Sequence, residues 1–266
     1  MNKYYRQLIA DEFKNCVTGT INRINKNQQT YRPFHTALLS DEVIYWSGFE
    51  RSFSTSFGQR VIEEIAKLVA LSYGAEDACR QKETSITIDE AYETAIHNHI
   101  QSLRDNTCTN HDWKSSLQEI QHAHPSGNKK TIRVISDVWW KKNGTENFIS
   151  LKTVKPNIDQ TAVAKEDCLK LAIAIPQCNV YFGLPYNPFG EEKEAYAFNP
   201  PMGIFDFHHD EVVLIGRELW DTIGGSGCYD ELLDIAHEVG IETKETIEKS
   251  RERRLMHYQE KFTKEK

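Results

Sequence analysis

Asp137, Ser150 and Lys152 are the residues whose types and spacing could do chemistry together. They lie in two β-rich runs, TIRVISDVWWKK (131–142) and TENFISLKTVKPN (145–157), separated by Asn143-Gly144. An Asn-Gly pair between such runs signals a type I′ hairpin, because that turn needs positive φ at both central residues. With a two-residue loop Lys142 faces Thr145, and counting back sets Asp137 opposite Ser150. Opposed side chains share a face of the sheet, with Cβ atoms roughly 5 Å apart. Lys152 is two residues beyond Ser150 and points to that face too. A carboxylate, a hydroxyl and an ammonium so placed can hold a hard cation, position a water and stabilise an oxyanion. The same triplet also fits an ordinary wet face, since strands often alternate apolar-in and polar-out. Ile135, Trp139 and Phe148 fall on the triplet's face by parity and argue against a plainly wet surface.

The next element is a helix after Pro156, capped by Asn157 or Asp159 and running through TAVAKEDCLKLAIAI. Glu166 shares a stripe with Ala162, Leu169 and Ile173. A carboxylate on such a stripe is costly unless it meets a cation or a donor; an i, i+4 pair with Lys170 is the plainer alternative. The block 49–73 reads as one long helix with Phe57, Val61, Ile65 and Leu68 on its buried side. Glu63 points away from that side and Glu64 sits at its edge.

Asp137, Ser150-Leu151-Lys152 and then Glu166 resemble the PD-(D/E)XK nuclease site. The likeness is to the variant in some type II restriction endonucleases where serine takes the middle acidic position and its carboxylate moves to the following helix. Further stretches are similar to one restriction family along nearly the whole chain: FERSFSTSFGQRVIEEIAKLVA (49–70), SDVWWKK, SLKTVKPN, LPYNPFG (184–190) and GRELWDTIGGSGCYDELL (216–233). That family is the Tde-type, and the resemblance implies cutting at GGNCC. It implies that Asp137 and Glu166 hold Mg²⁺, with the Leu151 carbonyl as a further oxygen. Lys152 would activate the attacking water and Ser150 would hydrogen-bond a metal-bound water. A glutamate from an earlier helix is expected beside the metal, with Glu64 the first candidate and Glu50 the second. Lys155, Asn157, Gln160, Arg51 and Ser52 are candidate DNA contacts. The implied partners are double-stranded DNA, a second copy of the chain in a C2 homodimer, and a companion DNA methyltransferase protecting the same site. Ser150 departs from the Asp or Glu that most of the superfamily carries.

Composition sets the bounds. The 266 residues are 39% hydrophobic, enough for a substantial core. No apolar run reaches the ~18 residues of a membrane span. MNKYYRQLIADEF is a polar amphipathic start and not a signal peptide, so the expected location is cytoplasmic. The six cysteines form no CxxC pair and read as free thiols. His122-x-His124 and His208-His209-Asp210 read as loop residues. The net charge of −7 argues against a protein that coats DNA indiscriminately, but residues 129–170 carry nine basic against five acidic side chains. Gly224-Gly225-Ser226-Gly227 lacks a phosphate-loop pattern and reads as a helix end and tight turn.

The expected fold is α/β, a restriction-endonuclease-like mixed central sheet flanked by helices. Helices are expected over 2–27, 89–104, 113–122, 217–223 and 229–239, with a polar loop at 25–32. Strands are expected at 179–184, 195–198 and 212–215, with 74–87 a loop or short helix. One nuclease domain is expected over 1–266, with a helical part to about 125, a catalytic core over about 126–240 and a solvated charged helix over 241–266. Two other functions fit: a structure-selective repair or junction nuclease, which would cut without sequence preference, and a non-catalytic DNA-binding or scaffold protein, which would need no metal.

Overall fold

The computed structural model describes residues 1–26 and 32–264, so the loop expected at 25–32 lies largely outside the described residues. Helices α1 (Lys3–Lys26), α2 (Pro33–Leu38), α3 (Asp41–Ser56) and α4 (Gln59–Ser72) lead into strand β1 (Asp77–Asp89). Helices α5 (Glu90–Arg104) and α6 (Trp113–Gln121) follow, then β2 (Lys129–Lys142), β3 (Thr145–Leu151), α7 (Ile158–Ala174) and β4 (Asn179–Leu184). The chain closes with β5 (Val213–Ile215), α8 (Arg217–Gly224) and α9 (Cys228–Lys264).

Two compact units result. One comprises residues 1–2 and 63–229, the other 3–62 and 230–266. The division does not fall at about residue 125, because β1 and α5 precede that point and belong with the sheet. In the sheet unit the strand order is β1-β2-β3-β4-β5. β1–β2 and β2–β3 are antiparallel, and β3–β4 and β4–β5 are parallel. The parallel step from β3 to β4 needs a crossover, and α7 supplies it. This is the mixed α/β architecture expected of the sequence.

The β2–β3 hairpin forms as its turn dictates. Asn143 and Gly144 have φ of 52° and 76°, and the register runs from Lys142 opposite Thr145 to Val138 opposite Ile149. Phe148, Trp139, Val180 and Phe182 join the main core with residues of α5 and α7. On the sheet's opposite face Trp140 stacks on Tyr181, with ring centroids 6.2 Å apart. Gly183 on that face has no room for a side chain: a Cβ there would lie 2.8 Å from Ile149, 2.9 Å from Leu151 and 3.0 Å from Leu219. Gly183→Ala should therefore destabilise by about 1–3 kcal/mol through overpacking. Thermal unfolding checks this, and an unchanged midpoint would mean that α8 shifts freely.

Four expectations need correction. Residues 49–73 are not one helix: α3 ends at Ser56 and α4 begins at Gln59, with Phe57-Gly58 between. The polar run 74–87, read as a loop or short helix, lies mostly in β1, a sheet-edge strand with one neighbouring strand, whose outer positions are free to be hydrophilic. Residues 195–198 are not a strand; Lys193–Ala195 is a 3₁₀ turn. Last, 229–239 and the charged tail form the single helix α9.

The helical unit explains that last result. Thr243 and Ser250 of α9 are each 2% exposed, so one face of the charged helix is packed while most of its other described residues stay exposed or half-buried. Arg6 forms a two-pronged pair with Glu238, both contacts 2.9 Å, and Lys14 meets Glu242 at 3.0 Å. Ser250 bonds Tyr45 and Asn25, and Arg251 reaches Glu42. Among the described residues no helix is long and apolar enough to cross a membrane.

Candidate active site

The hairpin brings the three singled-out residues together. Asp137 Oδ2 accepts from Ser150 Oγ at 3.2 Å, from the Leu151 backbone N–H at 2.7 Å and from Lys152 Nζ at 2.9 Å. Lys152 also donates to the Leu151 carbonyl at 3.1 Å. Its backbone N–H bonds the Gly183 carbonyl, so the strand end that carries the ammonium is fixed by β4. Asp137 is 8% exposed, and a buried carboxylate needs such donors because desolvation disfavours its charge.

The two adjacent carboxylates of α4 differ in burial and partners. Glu63 is 3% exposed, whereas Glu64 is bound by Lys67 at 2.5 Å and Arg80 at 2.9 Å. Glu63 Oε1 accepts from Gln81 Nε2 at 2.9 Å, and the same nitrogen lies 3.3 Å from Asp137 Oδ1. One amide group thus links two carboxylates. A wheel with one buried side does not foresee this, because β1 reaches both glutamates through Arg80 and Gln81. Glu50, the other candidate, lies on α3 in the helical unit and accepts from Ser54 Oγ.

Gln81 sits at an irregularity. Pairings on either side of it keep one register, which places it opposite Asp137, yet its φ is 50°. A non-glycine residue pays backbone strain there, and such outliers gather at functional sites. The apolar phase of β2 changes at the same level. Val134 joins the core above and Trp139 below, while Ile135, expected on the triplet's face, is 45% exposed.

Helix α7 carries two adjacent acids, Glu166 and Asp167. Glu166 pairs with Lys170 at 2.8 Å, the plain i, i+4 contact. Neighbouring Asp167 is pushed up from 3.8 to about 6, chiefly by burial and also by the negative charges of Glu166 and Asp137, against the pull of Lys170 and Lys152. The fields of Asp137 and Lys152 both reach it. Asp167 thus holds its proton up to about pH 6 when folded but releases it near 3.8 when unfolded. The stability this confers is full below pH 4 and is lost as pH rises through 6. The separation corresponds to roughly 3 kcal/mol, which the partial exposure of the side chain reduces to about 1–2. Asp167→Asn should stabilise by that amount at pH 7.5 and flatten the pH dependence of unfolding between 4 and 6. An unaltered profile would show that Asp167 ionises normally.

The candidate DNA contacts divide between the units. Lys155 Nζ lies over the Phe189 ring, 5.3 Å from its centroid. Asn157 and Gln160 cap α7 reciprocally, each side-chain oxygen accepting from the other's backbone N–H. Reading adenine needs both the oxygen and the nitrogen of an amide, so base contact there would compete with the cap. Arg51 and Ser52 lie in the helical unit, where they line a groove of about 490 Å³ with Arg23, Arg32 and His35. The local basic excess is smaller than the sequence suggests. Lys165 is fully buried, donating to the His111 and Ile204 carbonyls, and Lys130, Arg133 and Lys170 are paired with Glu93, Glu83 and Glu166. His208 and His209 bond the Tyr196 carbonyl and Asp206.

Residues 1–240 match the family described as type II restriction endonuclease, HinfI. The chain is 30% identical over 246 residues to type II restriction enzyme HgiEI of Herpetosiphon aurantiacus, an alignment spanning 89% of this chain and 86% of that one. Type II restriction enzyme HgiCII of the same organism is 29% identical over 225 residues, with 82% and 81% covered. Type II restriction enzyme HgiBI is 30% identical over 216 residues, with 79% and 77% covered.

Proposed function

Since the chain belongs to the HinfI family of type II restriction endonucleases, site-specific deoxyribonucleases, we propose that it hydrolyses double-stranded DNA in a Mg²⁺-dependent reaction centred on Asp137, Ser150 and Lys152. The observation that carries this reading is the convergence of Ser150 Oγ, the Leu151 N–H and Lys152 Nζ on one oxygen of Asp137.

The residues fit a hard divalent ion. Glu63 and Asp137 are buried carboxylates joined through one amide nitrogen, and the Leu151 carbonyl lies within reach of the same Lys152 ammonium. Oxygen donors of this kind suit Mg²⁺. Asp137 and Glu63 would hold it, with the Leu151 carbonyl and a carboxylate of α7. Of the two α7 acids, Asp167 has the stronger claim over Glu166, because it feels the charges of Asp137 and Lys152. The bound ion would supply a water of lowered pKa and offset charge on the phosphate.

The chain's own groups do the rest. Lys152 brings a fixed positive charge and rotatable N–H donors to where negative charge grows on the phosphate oxygens. Ser150 fixes the orientation of Asp137 and can hydrogen-bond the attacking water. The Leu151 N–H keeps Asp137 aligned. Gln81 sets the spacing of Glu63 and Asp137.

The proposed target is a short palindromic sequence, GGNCC, after the Tde-type likeness of the chain. A twofold site calls for a C2 homodimer with one active site per strand, and for a companion methyltransferase guarding the same sequence. The test is digestion of phage DNA with Mg²⁺ or with EDTA, followed by mapping of the fragment ends. Discrete fragments that require Mg²⁺ and end at GGNCC are expected. Fragments ending at another sequence would overturn the site, and a smear would favour a nuclease that reads DNA structure.

A further inference from the structure

A second group of metal-ligating side chains stands in the helical layer of the sheet unit, on residues the nuclease reaction does not use. His99 of α5, Cys108 of the following loop and Glu119 of α6 each offer one ligand atom, all within 4.8 Å of one another. His99 is 2% exposed. Ser116 Oγ donates to the Asp112 carbonyl at 2.7 Å, which leaves it to accept from His99 Nε2–H at 2.9 Å. With the Ser116 proton on the Asp112 carbonyl, Nε2 carries the imidazole proton and the lone pair sits on Nδ1. Nδ1 is buried without a hydrogen-bond donor and lies 3.2 Å from Glu119 Oε2. Two lone-pair atoms at this distance repel unless a positive centre lies between them. Two ligands bound at about 2.0–2.2 Å to one tetrahedral ion stand about 3.3–3.6 Å apart, close to the spacing seen.

From this geometry we infer that His99, Cys108 and Glu119 form a binding site for a borderline transition-metal ion of the Zn²⁺ class, with one position open to water. Imidazole and thiolate select such an ion over Mg²⁺, which prefers oxygen alone. Ser116 plays the outer part, orienting the imidazole through its second nitrogen. The neighbouring Lys165 ammonium is already held by the His111 and Ile204 carbonyls, and the two anionic ligands remain for the ion. Binding would tie the loop between α5 and α6 to both helices, a structural role separate from DNA cleavage. The competing arrangement is His99 with a proton on Nδ1, neutral or charged, paired with Glu119, with Cys108 a bystander; it binds no metal.

Titration of the metal-stripped full-length protein with Co²⁺ separates the two. About one equivalent should give a sulfur-to-cobalt charge-transfer band in the near ultraviolet together with tetrahedral visible bands. Zn²⁺ should displace the signal and Mg²⁺ should not. Cys108→Ser should abolish the charge-transfer band. Ser116→Ala should weaken binding by about 10–100-fold, the range for loss of an outer partner. Glu119 is half exposed, so Glu119→Gln should fold normally and should weaken binding at least as much. Absence of the band in the wild-type protein, its persistence in Cys108→Ser, or unchanged affinity in Glu119→Gln would overturn the site.

Discussion

Lys152→Ala should reduce DNA cleavage by about 10²–10⁴-fold while leaving binding to the target sequence largely intact. The ammonium lies 2.9 Å from Asp137 and 3.1 Å from the Leu151 carbonyl, at the end of β3, where it meets the negative charge of the site and not a base edge. Removing it takes away charge stabilisation in the transition state but no sequence readout. It also leaves Asp137 with fewer donors, so the metal-free variant should lose about 1–3 kcal/mol of stability. Added Mg²⁺ should restore part of that loss, because a cation bound by Asp137 replaces the missing charge. Gel-shift binding with target and scrambled duplexes, single-turnover cleavage, and unfolding with and without Mg²⁺ give the three readouts. Cleavage within tenfold of wild type would remove Lys152 from the mechanism. Loss of target binding in a folded variant would make it a DNA contact instead.

Glu63→Gln should lower cleavage by about 10²-fold or more, and Glu64→Gln by less than about fivefold. The two neighbours differ in surroundings and not in type. Glu63 is buried and shares the Gln81 amide with Asp137. Glu64 is neutralised by Lys67 at 2.5 Å and Arg80 at 2.9 Å, whereas Arg80 stands 4.0 Å from Glu63. Glutamine at 63 keeps the size and can still accept from Gln81, so the fold should survive while a charged oxygen ligand is lost. The metal dependence should move with it: Glu63→Gln should need a higher Mg²⁺ concentration for half-maximal cutting, and Glu64→Gln should not. The reverse ranking would return the role to Glu64 and make the Glu63–Gln81 contact purely architectural.

What the sequence determined is what short-range chemistry dictates. Asn143-Gly144 allows only a narrow set of turns, and a turn of fixed length fixes the register. The closeness of Asp137, Ser150 and Lys152 follows from counting along two strands. The cap at Asn157, the start of α7 after Pro156 and the apolar run of β4 are local in the same sense, and all three were legible. The class of fold followed from the order of those elements, and the kind of chemistry from the residue types they carry.

The tertiary structure decided what depends on partners distant in the chain. β1 is polar in sequence because it lies at the sheet edge, and nothing in the run 77–89 announces its pairing with β2. Without β1, Gln81 had no address, and the choice between Glu63 and Glu64 rested on a helical wheel that assumes one buried side. Packing covered the other side as well. The wheel placed Glu166 on the α7 stripe, but Lys170 lies one turn away to pair with it and stands 3.9 Å from Asp167, which also lies in the field of Asp137 and Lys152. His99, Cys108 and Glu119 come from two helices and a loop at spacings that match no metal motif, so only folding brings their ligand atoms together. A hairpin is set by local φ preferences and alternation of side chains. A site assembled across separate helices and strands is set by which surfaces bury one another, and that information is spread over the whole chain.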